Sequence, residues 1–207
     1  MRIAEPRDGS TPSEKSLAPT LSVPNVEAIY RLTKDDSGAG TFCSLYFLKN
    51  IEPSLQDDEF YRKDVQDHSS VLSSISWVIL SFIDSVAKKG DTHVPTTAPP
   101  SGSIVVANGS SPKPESVQDY HNWYNQEHGE KLACVPGWQM GRRHKLEKSF
   151  GEVETASFYG VNFYDQVNGL GGPEWKAGVT EWTMRIRDQA AKPNVRRVWK
   201  LVKTERL

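Results

Sequence analysis

The chain has 207 residues, 37% of them hydrophobic and 25% charged, with a formal net charge of −1. That length suits one domain with a real core or two small halves. The near-neutral balance, with no basic tail and no long single-sign block, argues against a general nucleic-acid or membrane-surface role.

Residues 1–20 are rich in Pro, Ser, Gly and charge and are expected to be disordered. They lack the apolar core of a signal peptide. The run Thr41–Asn50 reads as a strand, Glu59-Phe60 as the start of a helix, and Trp77–Asp84 as a further strand. The longest apolar run, Trp77 to Ile83, is interrupted by Ser81 and is far too short to span a bilayer. These features predict a soluble cytoplasmic protein. Cys43 and Cys134 are too few for a disulfide framework and are expected as buried free thiols. Ala87–Ser103, with three prolines and two glycines, is the clearest linker. It divides the chain into residues 21–86 and 104–207.

The second part reads in order as a strand over Ile104–Ala107 and a helix N-capped by Ser116 and running to Ala133. Strands follow over Trp138–Lys145 and Thr155–Asp165, then a helix over Pro173–Ala190 and a strand over Val195–Lys203. This β-α-β-β-α-β order is the ferredoxin-like split unit. The first part repeats it weakly. Val23-Pro24-Asn25 corresponds to Val135-Pro136-Gly137, and Thr41–Asn50 to Ala156–Asp165. Its first β-α pair is not recognisable. The expected fold is therefore α+β, with two ferredoxin-like units, the first incomplete.

The segment Asp119–His144 carries the most chemistry. On a helix, Tyr120, Trp123, Tyr124, Glu127 and His128 share one face. Such rings have polar tips that need partners when buried, so the stripe is either an amphipathic core or a ligand wall. A histidine one turn below a tyrosine and beside a glutamate is suited to proton transfer near neutral pH. Strand alternation sends Trp138, Met140, Arg142 and His144 to one face, and Gln139, Gly141 and Arg143 to the other. On the next strand Tyr159, Val161 and Phe163 alternate with Phe158, Gly160, Asn162 and Tyr164. An arginine with Asn162 or Tyr164 would suit a carboxylate, phenolate or enolate, or else forms a surface ion pair with Glu147 or Glu152.

The string Asp119-Tyr120-x-x-Trp123-Tyr124-x-x-Glu127-His128, followed by Val135-Pro136-Gly137-Trp138 and Arg142-Arg143, resembles the EthD-like branch of the dimeric α+β barrel superfamily. Glu174-Trp175-Lys176 and Arg196-Arg197-Val198 look like the same branch. The resemblance covers residues 103–204, and reaches 21–86 only through the internal repeat. It implies two ferredoxin-like sheets set face to face in a barrel, closed within one chain or by a homodimer. The implied ligands are small aromatic or polyketide-like molecules of the kind met in fungal secondary metabolism. Carrying the motif histidine over gives His128, with Glu127 beside it.

The resulting functional expectation is a cofactor-independent lyase or isomerase, performing decarboxylation, dehydration or cyclisation. In it His128, Tyr124, Glu127 and Arg143 are catalytic, and Trp123, Trp138, Arg142, Tyr159 and Asn162 bind substrate. A non-catalytic binding or scaffold protein and a cofactor-free oxygenase are the alternatives. The five histidines show no tight ligand spacing, and no phosphate-loop or dinucleotide fingerprint is present, so neither metal nor cofactor is expected.

Overall fold

The computed structural model describes residues 1–8, 13, 16, 26–34, 42–86 and 93–207. The first unit runs β1 (Arg2–Pro6), β2 (Val26–Lys34), β3 (Phe42–Leu48), α1 (Glu52–Gln56), α2 (Glu59–His68) and β4 (Leu72–Val86). The second runs β5 (Ile104–Ser110), a 3-10 turn (Pro114–Ser116), α3 (Val117–Trp123), a π-helical turn (Tyr124–His128) and α4 (Gly129–Ala133). It continues with β6 (Trp138–Phe150), β7 (Phe158–Tyr164), α5 (Pro173–Ala177), α6 (Glu181–Asp188) and β8 (Val195–Arg206).

The eight strands close into one antiparallel barrel in the order β1-β3-β2-β8-β5-β7-β6-β4. Each unit contributes four adjacent strands in the same internal order: β4-β1-β3-β2 in the first and β8-β5-β7-β6 in the second. The seams are β2 on β8 and β4 on β6. The α+β fold of two ferredoxin-like units is thus completed by a single chain. Closure pairs both edges of each four-stranded sheet with the other unit, edges that an isolated ferredoxin-like sheet would expose.

The N-terminus departs from the sequence reading. Arg2–Pro6 is a strand, paired with Phe42–Ser44 on one side and Leu72–Trp77 on the other. Five residues carrying Arg2, Glu5 and Pro6 have little strand signal of their own. Their state is set by two neighbours and by an ion pair, Arg2 Nε to Asp64 Oδ2 at 2.7 Å, buried on both sides. The first unit therefore has the strand that was not recognisable in its sequence. Most of residues 9–25, including the Val23-Pro24-Asn25 match, lies outside the described residues.

Alternation along the strands separates two kinds of core. Ile3, Tyr30, Cys43, Val78, Val105, Met140, Tyr159, Phe163, Trp199 and Leu201 fill the barrel lumen. The opposite faces pack under helices: Ile29, Tyr46, Ile75 and Trp77 in the first unit, and Val106, Tyr164 and Val198 in the second. β7 is buried at all seven positions because both of its faces are covered.

The linker also differs from expectation. Residues 87–92 are outside the described set, but Val94 and Ala98 pack against the lumen cluster, and Arg206 Nη2 donates to the Pro95 and Thr96 carbonyls. Ser116 makes no capping hydrogen bond, because a 3-10 turn precedes the helix. The expected helix over Pro173–Ala190 is two, broken at Gly178–Thr180, where Thr180 caps α6 by accepting from the Thr183 amide at 3.1 Å. Both cysteines are free thiols, Cys43 buried and Cys134 exposed. Among the described residues no helix is long and apolar enough to cross a membrane.

Candidate active site between sheet and helices of the second unit

The helix expected to carry the active stripe is not α-helical throughout. At Tyr124–His128 it widens to a π turn, and the Gly129 amide donates to the Tyr124 carbonyl five residues back. In an α-helix, residues five apart point well away from each other. Here Trp123 and His128 stack, with ring centroids 4.0 Å apart and planes at 20°. Tyr124 meets the same imidazole edge-on at 5.0 Å. The π turn thus brings His128 under Trp123.

A cavity of about 290 Å³ lies beside this turn. Tyr120, Trp123, Tyr124 and His128 form one wall, and Trp175, Thr183 and Ile186 from α5 and α6 form another. Lys131, Arg187 and Arg196 bring positive charge to its lining, while Asn108 and Asn194 add polar groups. The Trp123 indole donates to Thr183 Oγ1 at 3.2 Å, and Thr183 in turn donates to the Gly178 carbonyl at 3.1 Å. The break between α5 and α6 therefore has a use: it presents the carbonyl that orients Thr183, which orients Trp123.

His128 is half-buried, and its Nδ1 is buried without a hydrogen-bond partner. Burial, aided by the positive Arg187, pushes its imidazole down to about 3, so the ring is neutral near pH 7. Burial raises the Tyr124 phenol to about 12, with the Asn162 amide and the Arg143 guanidinium acting the other way. The Tyr124 hydroxyl is wedged against β7 at Gly160, where a Cβ would lie 2.1 Å from it. Tyr124 therefore presents its ring to the cavity and its hydroxyl to the sheet.

The other expected site residues divide between two faces. Glu127 does not bond His128; Thr180 Oγ1 donates to its Oε1 at 2.5 Å, which ties the π turn to the cap of α6. Arg143 lies on the helix-facing side of β6, beneath the Tyr124 ring at 5.1 Å. Its guanidinium donates to both Asp84 oxygens and, at 2.6 Å, to Asn125 Oδ1. Its charge is used there, outside the His128 cavity. Trp138 sits on this same side, not with Met140, because the register of β6 on β7 shifts between Trp138 and Met140. Its indole donates to Asn162 Oδ1 at 3.2 Å. Asn162 and Trp138 thus support Tyr124 from the sheet and do not line the cavity. Arg142 belongs to the lumen, as does Tyr159, whose hydroxyl accepts from the Ala156 amide at 3.0 Å.

Of the nine expected residues, the cavity gathers His128, Tyr124 and Trp123. Sequence reasoning did not place Arg187, Thr183 or Asn194 at the site, and named Arg196 only within the family-like string Arg196-Arg197-Val198. The β-α-β-β-α-β topology is what brings α6 and the start of β8 next to α3. Among the described residues no group of three or more His, Cys, Asp or Glu side chains is placed to hold a metal ion.

No protein-family model and no curated protein sequence matches the chain. Solved structures do. An anthrone oxidase-like protein superimposes with a TM-score of 0.65 at 13% identity, over 99% of this chain and 90% of its own. A provisionally assigned monooxygenase from Fusobacterium nucleatum subsp. nucleatum gives 0.55 at 10% identity, over 99% and 92%. At these identities the likeness shows the fold alone, the closed antiparallel barrel of two α+β units described above.

Proposed function

We propose that the His128 cavity is the active site of a cofactor-independent enzyme that removes a proton from a small aromatic or polyketide-like molecule. The observation that carries this reading is a neutral imidazole with an unpartnered buried Nδ1, stacked on Trp123 in a cavity walled by aromatic rings. His128 accepts the proton. The charge left on the substrate raises the basicity of the imidazole as the proton arrives, and Arg187 stabilises the resulting enolate or phenolate. Trp123, Tyr124, Tyr120 and Trp175 hold the ring system. Arg143, Glu127, Trp138 and Asn162 position the helix and Tyr124. Arg142 and Tyr159 act on the other face of the sheet.

A neutral imidazole accepts a proton more readily than it gives one. Within the lyase and isomerase class this favours dehydration or cyclisation over decarboxylation. A second reading shares the same first step. The carbanion is captured by dioxygen, so that an acidic methylene and O₂ become a ketone and water. The names of the two structural neighbours favour this oxygenase outcome. The EthD-like motif and a place in cytoplasmic secondary metabolism accord with either outcome. A closed single-chain barrel needs no homodimer for either.

The test has two parts. Native mass spectrometry of the purified protein should find an aromatic small molecule bound once per chain. Turnover of anthrone-type and poly-β-keto substrates, followed by product mass and oxygen uptake, should fall about 10²–10⁴-fold in His128→Phe. Oxygen uptake stoichiometric with product selects the oxygenase outcome. Unchanged turnover in a folded His128→Phe protein overturns the reading.

A further inference from the structure

The strands that carry the His128 site on their helix-facing side present a different set of groups to the barrel lumen. A cavity of about 480 Å³ reaches into the lumen between β3 and β4, where Tyr46 and Trp77 from the helix-facing side of the first unit also join its lining, and its volume is within the range of small-molecule sites. Leu45, Phe47, Val78, Leu80, Val161 and Phe163 give it apolar walls. Besides Ser81 and the exposed Lys49 and Asn50, two polar groups on β6 break that pattern: Arg142, 1% exposed, with its guanidinium over the Phe82 ring at 4.6 Å, and His144, whose ring is 5.8 Å from Phe82. His144 Nδ1 is buried and has no hydrogen-bond partner. His93, held by Glu27 Oε2 at 2.6 Å, also lines the cavity, beside the linker residues that cover the lumen cluster.

We infer that the barrel lumen is a second binding site, specific for an apolar carboxylic acid gripped by Arg142 and His144. Packing alone does not call for these residues. Met140, two positions earlier on the same face, shows what fills the lumen by size and apolarity, and a buried cation is costly compared with such a side chain. A guanidinium is a planar, permanently charged donor that matches a carboxylate. The imidazole beside it offers Nδ1 to the second carboxyl oxygen or to its proton. The charged groups that bear on His144 are Arg142 on its own strand, the Met1 amino group at the start of β1, and Asp84 of β4, which Arg143 already engages. The hydrocarbon part of the ligand lies along the leucine, valine and phenylalanine walls. This site is independent of the proposed chemistry at His128, because β6 and β7 separate the two cavities.

Isothermal titration calorimetry with decanoate and 1-naphthoate, and with their methyl esters, tests the inference on the full chain. One acid molecule should bind per chain, and the matching ester about tenfold or more weakly. Arg142→Gln should weaken the acid by a similar factor. His144→Phe keeps the ring volume, and so tests the same site should Arg142→Gln fail to fold; it should also weaken binding, while His128→Ala should not. The inference is overturned if neither acid binds, if acid and ester bind equally, or if His144→Phe leaves affinity unchanged. Loss of binding in His128→Ala overturns it too, since the acid would then occupy the other cavity.

Discussion

The two units share one strand order, yet treat the space between sheet and helices differently. In the first, Asp64 of α2 accepts from Arg2 Nε at 2.7 Å and from the Trp77 indole at 2.8 Å, and lies 3.0 Å from His68 Nδ1. Tyr46, Phe60 and Phe150 close around the Trp77 indole, with successive centroids 5.0–5.4 Å apart. In the second, a tryptophan again donates to a buried partner, but that partner is Thr183, and a cavity remains beside it. A carboxylate that gathers three donors draws its elements together. A hydroxyl that passes its bond on to a loop carbonyl leaves room. One topology thus yields an interface drawn together on a buried carboxylate and another that keeps a cavity between its sheet and its helices.

Removing the central carboxylate should give the largest effect. Asp64→Ala leaves Arg2 and the Trp77 indole buried without it, and should cost about 3–5 kcal/mol in urea unfolding. Activity per folded molecule should not change, because the His128 cavity is in the other unit. A parallel loss of activity would mean that the two interfaces are coupled.

Acid should act mainly on two buried imidazoles of the second unit, one on each face of its sheet. His128 and His144 are both held neutral, at about 3, whereas in the unfolded chain they take up protons below about 6.5. Stability should therefore decline as pH falls through the window from 6.5 to 3, with no further gain from these groups above it. His128→Gln should flatten that decline, measured by urea titration at pH 7, 5 and 4. An unchanged slope would show that the imidazole is not buried neutral.

A smaller effect is expected where the helix meets β7. Gly160→Ala places a methyl in the space held by the Tyr124 hydroxyl and should destabilise the protein by about 1–3 kcal/mol. It should also lower turnover by shifting the ring, which kcat and urea midpoint together would report. Thr183→Val leaves the Trp123 indole N–H without its partner and should cost about 1 kcal/mol. A change in tryptophan fluorescence should accompany it. Smallest is Arg31→Gln at the seam between units. The Arg31–Glu205 pair is partly solvated, so the loss should stay within about 1 kcal/mol and shrink with added salt.

The sequence disclosed these two regions unequally. The strands and helices of the second unit were legible because their alternation and breaks are strong, although β6 runs on to Phe150 through a stretch, Leu146–Phe150, that reads as a polar loop. Its alternate residues are exposed, and only pairing with β4 makes it a strand. The strand Arg2–Pro6 was illegible for the converse reason: its partners, from Phe42 to Trp77, are all distant in sequence. At the site, the aromatic stripe was visible and its helical character was not. An α-helical reading places Glu127 and His128 side by side. The π turn instead joins Glu127 to Thr180 and His128 to Trp123. Arg187 and Arg196 could not be linked to the stripe without the three-dimensional path of α6 and β8.

The π turn at Tyr124–His128 makes the site sensitive to length as well as to composition. Inserting one residue between Trp123 and His128 would make them six apart, which in α geometry sets them about 120° apart around the axis. Every strand of the barrel can survive that insertion. A single gained codon can therefore separate the His128 ring from Trp123 while leaving the scaffold intact.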